Sequence, residues 1–239
     1  MTNTVAALTD NEMYERMVSA ILDHRLLPGT KLGEDRLATA FGVSRTRIRP
    51  VLVRLASEQV VTLTPNRGAA VAQPTVQEAR EVFEVRRMIE PTLVELFITH
   101  AAQDDIDRLT ECIALEEAAR AAGKLHRAIR LSGDFHLHIA QASRHQTLGR
   151  ILREMVSRTS LILMTYSGIR HEPHKPFDGD GEGSACGCHE HRALLHAIGL
   201  RDPRKAARLM REHLSRLESQ LRLAPPAVRA PDLSRLFPD

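Results

Sequence analysis

From Asp10 to about His24 apolar residues recur at helical intervals, with Met13, Met17 and Ile21 on one face. "LLPGTKL" interrupts that pattern, because Pro28-Gly29 is turn chemistry. A short helix is predicted over 34–41, with Gly42 in the tight turn after it. Ser44 stands as the N-cap of the next helix, which carries Leu52 and Leu55 on its apolar side. After Glu58 the period changes. Two short β-branched runs flank Pro65-Asn66-Arg67-Gly68 and read as a small hairpin. Helix, helix, turn, helix, hairpin is the order of a winged helix-turn-helix.

Pro74 closes this region, and Thr75 with Glu78 forms a capping box for a new helix. Helical patterns then run over 104–121, 124–142, 147–167, 186–200 and from Asp202-Pro203 to about Leu223. A polar, Gly-rich loop occupies 170–184. The expected architecture is mainly α. A winged helix-turn-helix domain (1–74) precedes an all-α antiparallel helical bundle (75–224) and a tail (225–239).

Composition narrows this picture in two ways. Hydrophobic residues make up 43%, enough for a core, but aromatics are only 3% and Trp is absent, so that core is aliphatic and suits helices. Three cysteines are too few, and odd in number, for a disulfide framework. With no apolar run long enough to span a membrane and no basic-then-apolar leader, the expectation is a cytoplasmic protein without a membrane partner.

The net charge of +3 says less than its distribution. Six arginines lie between Arg36 and Arg67 against one acid, Glu58. Four of them (Arg45, Arg47, Arg49 and Arg54) fall in "FGVSRTRIRPVLVRL". The second helix of a helix-turn-helix enters the major groove, and arginine grips guanine or phosphate in a bidentate manner. Arg45 and Arg49, at i, i+4, share a face there.

"LLPGTKLGEDRLATAFGVSRTRIRPVLVRLASEQVVTLTPNRGAAV" resembles the winged helix of the GntR family of bacterial regulators. The resemblance implies contact with a near-palindromic double-stranded operator through Arg45, Thr46, Arg49 and Gly68. Arg36, Ser44, Arg47, Asn66 and Arg67 complete the candidate DNA-binding set. Arg47 stands where the family has proline, Pro50-Val51 where it has Glu-Ala, and Asp35 where many members carry another arginine. Pro50 is an awkward residue inside a helix.

Histidine supplies the second candidate chemistry. Twelve are present, most of them after His100. In "GDFHLHIAQAS" Asp134 and His138 are i, i+4 and share a face, whereas His136 points away from it. "CHEHRALLHAI" offers His191 and "MREHLSRL" offers His213. One carboxylate and three imidazoles suit Zn²⁺ or a similar ion. From spacing alone, a D-x-x-x-H pair reads more readily as an exposed polar pair. "CGCHEH" is a rival zinc set built from Cys186, Cys188, His189 and His191.

"EVRRMIEP", "DFHLHIAQAS", "EHRALLHAI" and "AARLMREHL" are similar to the FCD effector domain of the FadR-like GntR regulators. In its metal-binding branch, the resemblance implies Asp134, His138, His191 and His213 as ligands of a divalent ion: zinc, with nickel or manganese as alternatives. It also implies Arg86 as the partner of a small carboxylate effector. Together these point to a homodimeric, ligand-responsive transcription regulator, a repressor by family habit, and not an enzyme. A metalloenzyme on the same centre and a sensor of the metal itself are the rival functions. The Gly-rich loop is a candidate lid over the pocket.

Overall fold

The computed structural model describes residues 8–22, 25–167 and 187–223. The chain divides into two compact units, one ending at Pro74 and the next starting at Thr75. Among the described residues, no helix is long and apolar enough to cross a membrane.

The first unit contains α1 (Asp10–Leu22), β1 (Lys31–Leu32), α2 (Glu34–Phe41), α3 (Arg45–Ser57), β2 (Val61–Thr64) and β3 (Gly68–Val71). Met13, Met17 and Ile21 from α1 are buried, as are Ile48, Leu52 and Leu55 from α3. The α1 pattern was followed to about His24, but Asp23 and His24 lie outside the described residues. Gly42 closes α2 with φ 64°, the left-handed turn that glycine adopts without strain. The hairpin pairs Thr64 with Gly68 and Val61 with Val71. A strand absent from the sequence reading, β1, pairs with β3, giving the order β1-β3-β2. Two residues inside a turn-rich stretch carry no periodicity from which a strand could be read.

Pro50 does lie inside α3. Its missing N–H removes the bond to the Thr46 carbonyl, and both residues are exposed, so the loss falls on the wet side of the helix. Ser44 occupies the N-cap position without capping. Its hydroxyl lies 2.7 Å from that of Thr46 instead of accepting from the helix backbone.

The second unit is all helical in its described residues: α4 (Val76–His100), α5 (Gln103–Ala121), α6 (Leu125–Ala142), α7 (Gln146–Tyr166), α8 (Gly187–Gly199) and α9 (Pro203–Ser219). Thr75 and Glu78 form the capping box that starts α4, and the Asp202 side chain caps α9 ahead of Pro203. α4 packs against α9, α7 and α6, while α5 packs against α6 and α8. An aliphatic core with Leu93, Phe97, Leu109, Phe135, Ile139, Leu194, Met210 and Leu214 joins them. The 170–184 loop and its reading as a lid lie outside the described residues.

Candidate functional site

α3 turns Ile48, Val51, Leu52 and Leu55 inward, which leaves Arg45, Thr46 and Arg49 exposed. The hairpin tip adds exposed Asn66, Arg67 and Gly68, with Asn66 and Gly68 at φ 60° and 78°. Arg36 is exposed on α2.

The recognition-helix arginines are not bare. Arg49 donates through Nε to both Glu34 oxygens, at 3.1 and 2.9 Å. Arg45 meets Glu34 at 3.5 Å and Asp35 at 3.1 Å. Asp35 therefore supports an arginine from the position where many GntR regulators carry one.

Arg47 is two residues from Arg45, about 200° around the helix, and faces α1 instead. It donates to the Leu8 carbonyl at 2.6 Å and to Asp10 at 2.7 Å. Its place in the sequence groups it with the DNA contacts; in the structure it ties the chain entering α1 to α3. Arg54 is likewise engaged, with its guanidinium 3.5 Å above the Tyr14 ring and a bond to Asn11 at 3.0 Å.

In the helical unit, His136, His191 and His213 are all buried, and one donor atom from each lies within 4.8 Å of the others. His191 and His213 belong to the sequence-derived ligand set, whereas Asp134 and His138 are not part of this cluster. On α6 the cluster takes the histidine two residues before His138. His136 lies on the inward stripe with Phe135, Ile139 and Ala140, all buried. His138 instead lines a surface groove with Asp105, Arg108 and Gln141. Burial raises the Asp134 carboxyl, an effect opposed by Arg130 and His138. Of the rival cysteine set, Cys186 and the Cys188 side chain lie outside the described residues, and His189 is exposed.

Each clustered imidazole is oriented by a carboxylate from a different helix. His136 Nδ1 is 2.5 Å from Glu90, His191 Nδ1 is 2.9 Å from Glu116, and His213 Nδ1 is 2.6 Å from Glu190. In each pair the carboxylate accepts from the imidazole Nδ1–H. The Nε2 atoms of His191 and His213 are buried without a hydrogen-bond partner.

Burial pushes His136 down to about 3, against the opposing pull of Glu90. Burial alone would raise Glu90, but Arg86 and His136 hold it at about 2. His191 is lowered by burial as well. These shifts describe neutral imidazoles beside ionised carboxylates, the protonation state in which histidine ligates a metal.

Each carboxylate also has its own arginine. Arg86 reaches Glu90 at 2.5 Å, Arg120 reaches Glu116 at 3.2 Å, and Arg216 reaches Glu190 at 2.7 Å. Three glutamates thus balance three arginines around the imidazoles. Arg86 also donates to Thr159 at 3.1 Å, while its Nη2 is buried with no partner.

None of the three orienting glutamates belongs to the sequence-derived ligand set. One signal was present in the sequence. Glu90 and Glu116 lie i±4 from an arginine on otherwise apolar helix faces, an arrangement that is costly unless the acid is paired. His136 also sits three and four residues before Ile139 and Ala140, on the apolar stripe.

Comparison with known proteins agrees with both halves. The bacterial regulatory protein gntR family model matches residues 9–71, and the FCD domain model matches residues 81–216. The Exu regulon transcriptional regulator of Escherichia coli K12 is 25% identical over 234 residues, covering 90% of this chain and 86% of that protein. The HTH-type transcriptional regulator YdhC of Bacillus subtilis is 26% identical over 150 residues, 60% of this chain and 65% of the relative's length. The crystal structure of a putative GntR regulator from Rhodococcus sp. RHA1 shares the fold, with a TM-score of 0.73 at 21% identity, over 88% of this chain and 96% of that one. An arginine-bearing winged helix followed by an FCD helical domain makes this chain a member of the GntR family of DNA-binding transcription regulators.

Proposed function

We propose that the chain is a metabolite-responsive repressor of the FadR-like, metal-binding branch. As a homodimer it reads a near-palindromic operator, with α3 in the major groove and the β2–β3 tip against the flanking backbone. Arg45, Thr46 and Arg49 carry the groove contacts. Arg36, Ser44, Asn66, Arg67 and Gly68 add contacts around them.

In the helical domain, His136, His191 and His213 hold a divalent ion. Zinc suits three imidazoles with an open position better than nickel or manganese does. The effector is a small carboxylate that binds the ion and the Arg86 guanidinium together. The single observation that carries this reading is the clustering of three buried imidazoles, two with unpartnered Nε2 atoms, joined through Glu90 to Arg86, whose Nη2 is also unpartnered. Buried polar groups left unpaired cost about 1–3 kcal/mol each, so a site with three of them is built for an occupant. α4 starts at the domain boundary and carries both Arg86 and Glu90, so occupancy acts on the helix that leads out of the winged domain. Coupling of about 1–3 kcal/mol is typical of such a switch.

The test is fluorescence anisotropy of the zinc-loaded protein against the DNA upstream of its own gene, with a random duplex at the same salt as control. A preference of about a thousandfold or more, relieved by a member of a panel of small carboxylates, is the expected result. Equal binding to both duplexes would refute operator recognition there. Release by chelator alone, reversed by added zinc and indifferent to every carboxylate, would make the metal itself the signal.

A further inference from the structure

The acids facing the recognition helix have no part in the reading above, yet they touch the two arginines expected to meet DNA. Glu34 and Asp35 lie in the first turn of α2, where the helix dipole favours a carboxylate. Glu34 takes both of its bonds to Arg49 from Nε, at 3.1 and 2.9 Å. Both bonds leave the Nη atoms of Arg49 out of the pair, and these form the end-on fork that matches guanine O6 and N7. The same carboxylate reaches Nη2 of Arg45 at 3.5 Å, and Asp35 reaches Nε of Arg45 at 3.1 Å. The Glu34 side chain is 29% exposed, against 61% for Arg49 and 54% for Arg45. The acid is thus the sheltered member and the arginines are the outward ones.

We infer that Glu34 is a positioning residue for operator discrimination: it holds Arg49 by Nε so that the Nη fork projects outward, and it cancels charge that would otherwise bind any phosphate. Two consequences follow from one contact. A guanidinium held at Nε loses less freedom on meeting a base edge, which favours the correct sequence. A neutralised arginine also releases fewer counterions from arbitrary DNA, which weakens non-specific binding.

The inference rests on α3 being the groove-entering helix, and the experiment separates the two. The probes are a duplex selected by the full-length wild-type protein from a random pool and an unselected duplex, each titrated over a range of salt. If the wild-type protein selects no duplex, the reading of α3 fails. If it does, Glu34→Gln is expected to bind the unselected duplex more tightly, with a salt slope steeper by about one. The selected-to-unselected ratio should fall by about tenfold or more.

A Glu34→Gln protein with an unchanged ratio and slope would overturn the inference. So would equal loss on both duplexes, which would make Glu34 a general support of the domain. The second variant is Arg49→Ala, which removes the group Glu34 is said to act through. In that background Glu34→Gln should cost little of the ratio that remains, and fully additive losses would overturn the positioning role.

Discussion

Arginine–carboxylate pairs occur in both halves of this protein, and their burial gives them opposite uses. On α3, Arg45 and Arg49 meet Glu34 at 3.5 and 2.9 Å with more than half of each arginine side chain in solvent. In the bundle, Arg86 meets Glu90 at 2.5 Å with both side chains at most 2% exposed. An exposed pair is screened by water and worth about 0–1 kcal/mol, so it can be traded for a phosphate or a base. A buried pair cannot be opened without stranding a charge, so it fixes geometry. The same chemistry serves as an exchangeable surface in one domain and as scaffolding in the other. The difference also separates the two proposed sites: a surface that presents its arginines to nucleic acid, and an interior that gathers three imidazoles.

The metal centre gives the largest effect by which to break this comparison. His136→Ala is expected to abolish stoichiometric zinc in the purified protein, while His138→Ala keeps it, as read by elemental analysis. The reverse outcome would return the site to the Asp134–His138 face.

Next is the contrast in stability. In chelator-treated protein, Glu90→Ala should cost about 3–5 kcal/mol in urea unfolding, because it strands the Arg86 charge. Glu34→Ala should cost less than about 1 kcal/mol. Similar losses for both would erase the distinction between fixed and exchangeable pairs.

On the DNA side, Arg49→Ala should lose about 1–3 kcal/mol of discrimination between selected and random duplexes. Arg47→Ala should instead lower the melting temperature, because its partners are Leu8 and Asp10. Loss of discrimination on changing Arg47 would place it back among the contacts.

The smallest effect probes how dry the bundle is. Burial pushes the Cys112 thiol up to about 12, with Asp134 adding to the rise. An acid raised in this way stays protonated where a free thiol ionises. Its alkylation in the folded chain should therefore not accelerate between about pH 7 and about pH 9, whereas in denaturant it should. Peptide mass mapping reads the site. Parallel pH profiles in both states would show that water reaches α5 and α6.

Much of this was legible without coordinates, because it is local. Helical periodicity, the Gly42 turn, the Thr75–Glu78 capping box and the Asp202-Pro203 start each lie within a few residues of chain, and the family resemblance followed from contiguous motifs. Of the expected ligand set, His191 and His213 followed from the motif resemblance, and the structure brings these two into one buried cluster with His136.

Which histidine of α6 completes the set was not as legible. His136 and His138 are two residues apart; the apolar stripe through Ile139 and Ala140 favours His136, but it is the packing of α6 against its neighbours that buries it. Nor did the sequence assign the acids. Glu90, Glu116 and Glu190 lie 46, 75 and 23 residues from the imidazoles they orient. Glu34 is 15 residues from Arg49. Spacing within one helix determines a face, but partners on different helices are set by how those helices pack. Sequence by itself determined two domains, their fold class and most of their elements. Tertiary structure decided which charges are buried, and burial separates an arginine that can let go of its acid from one that cannot.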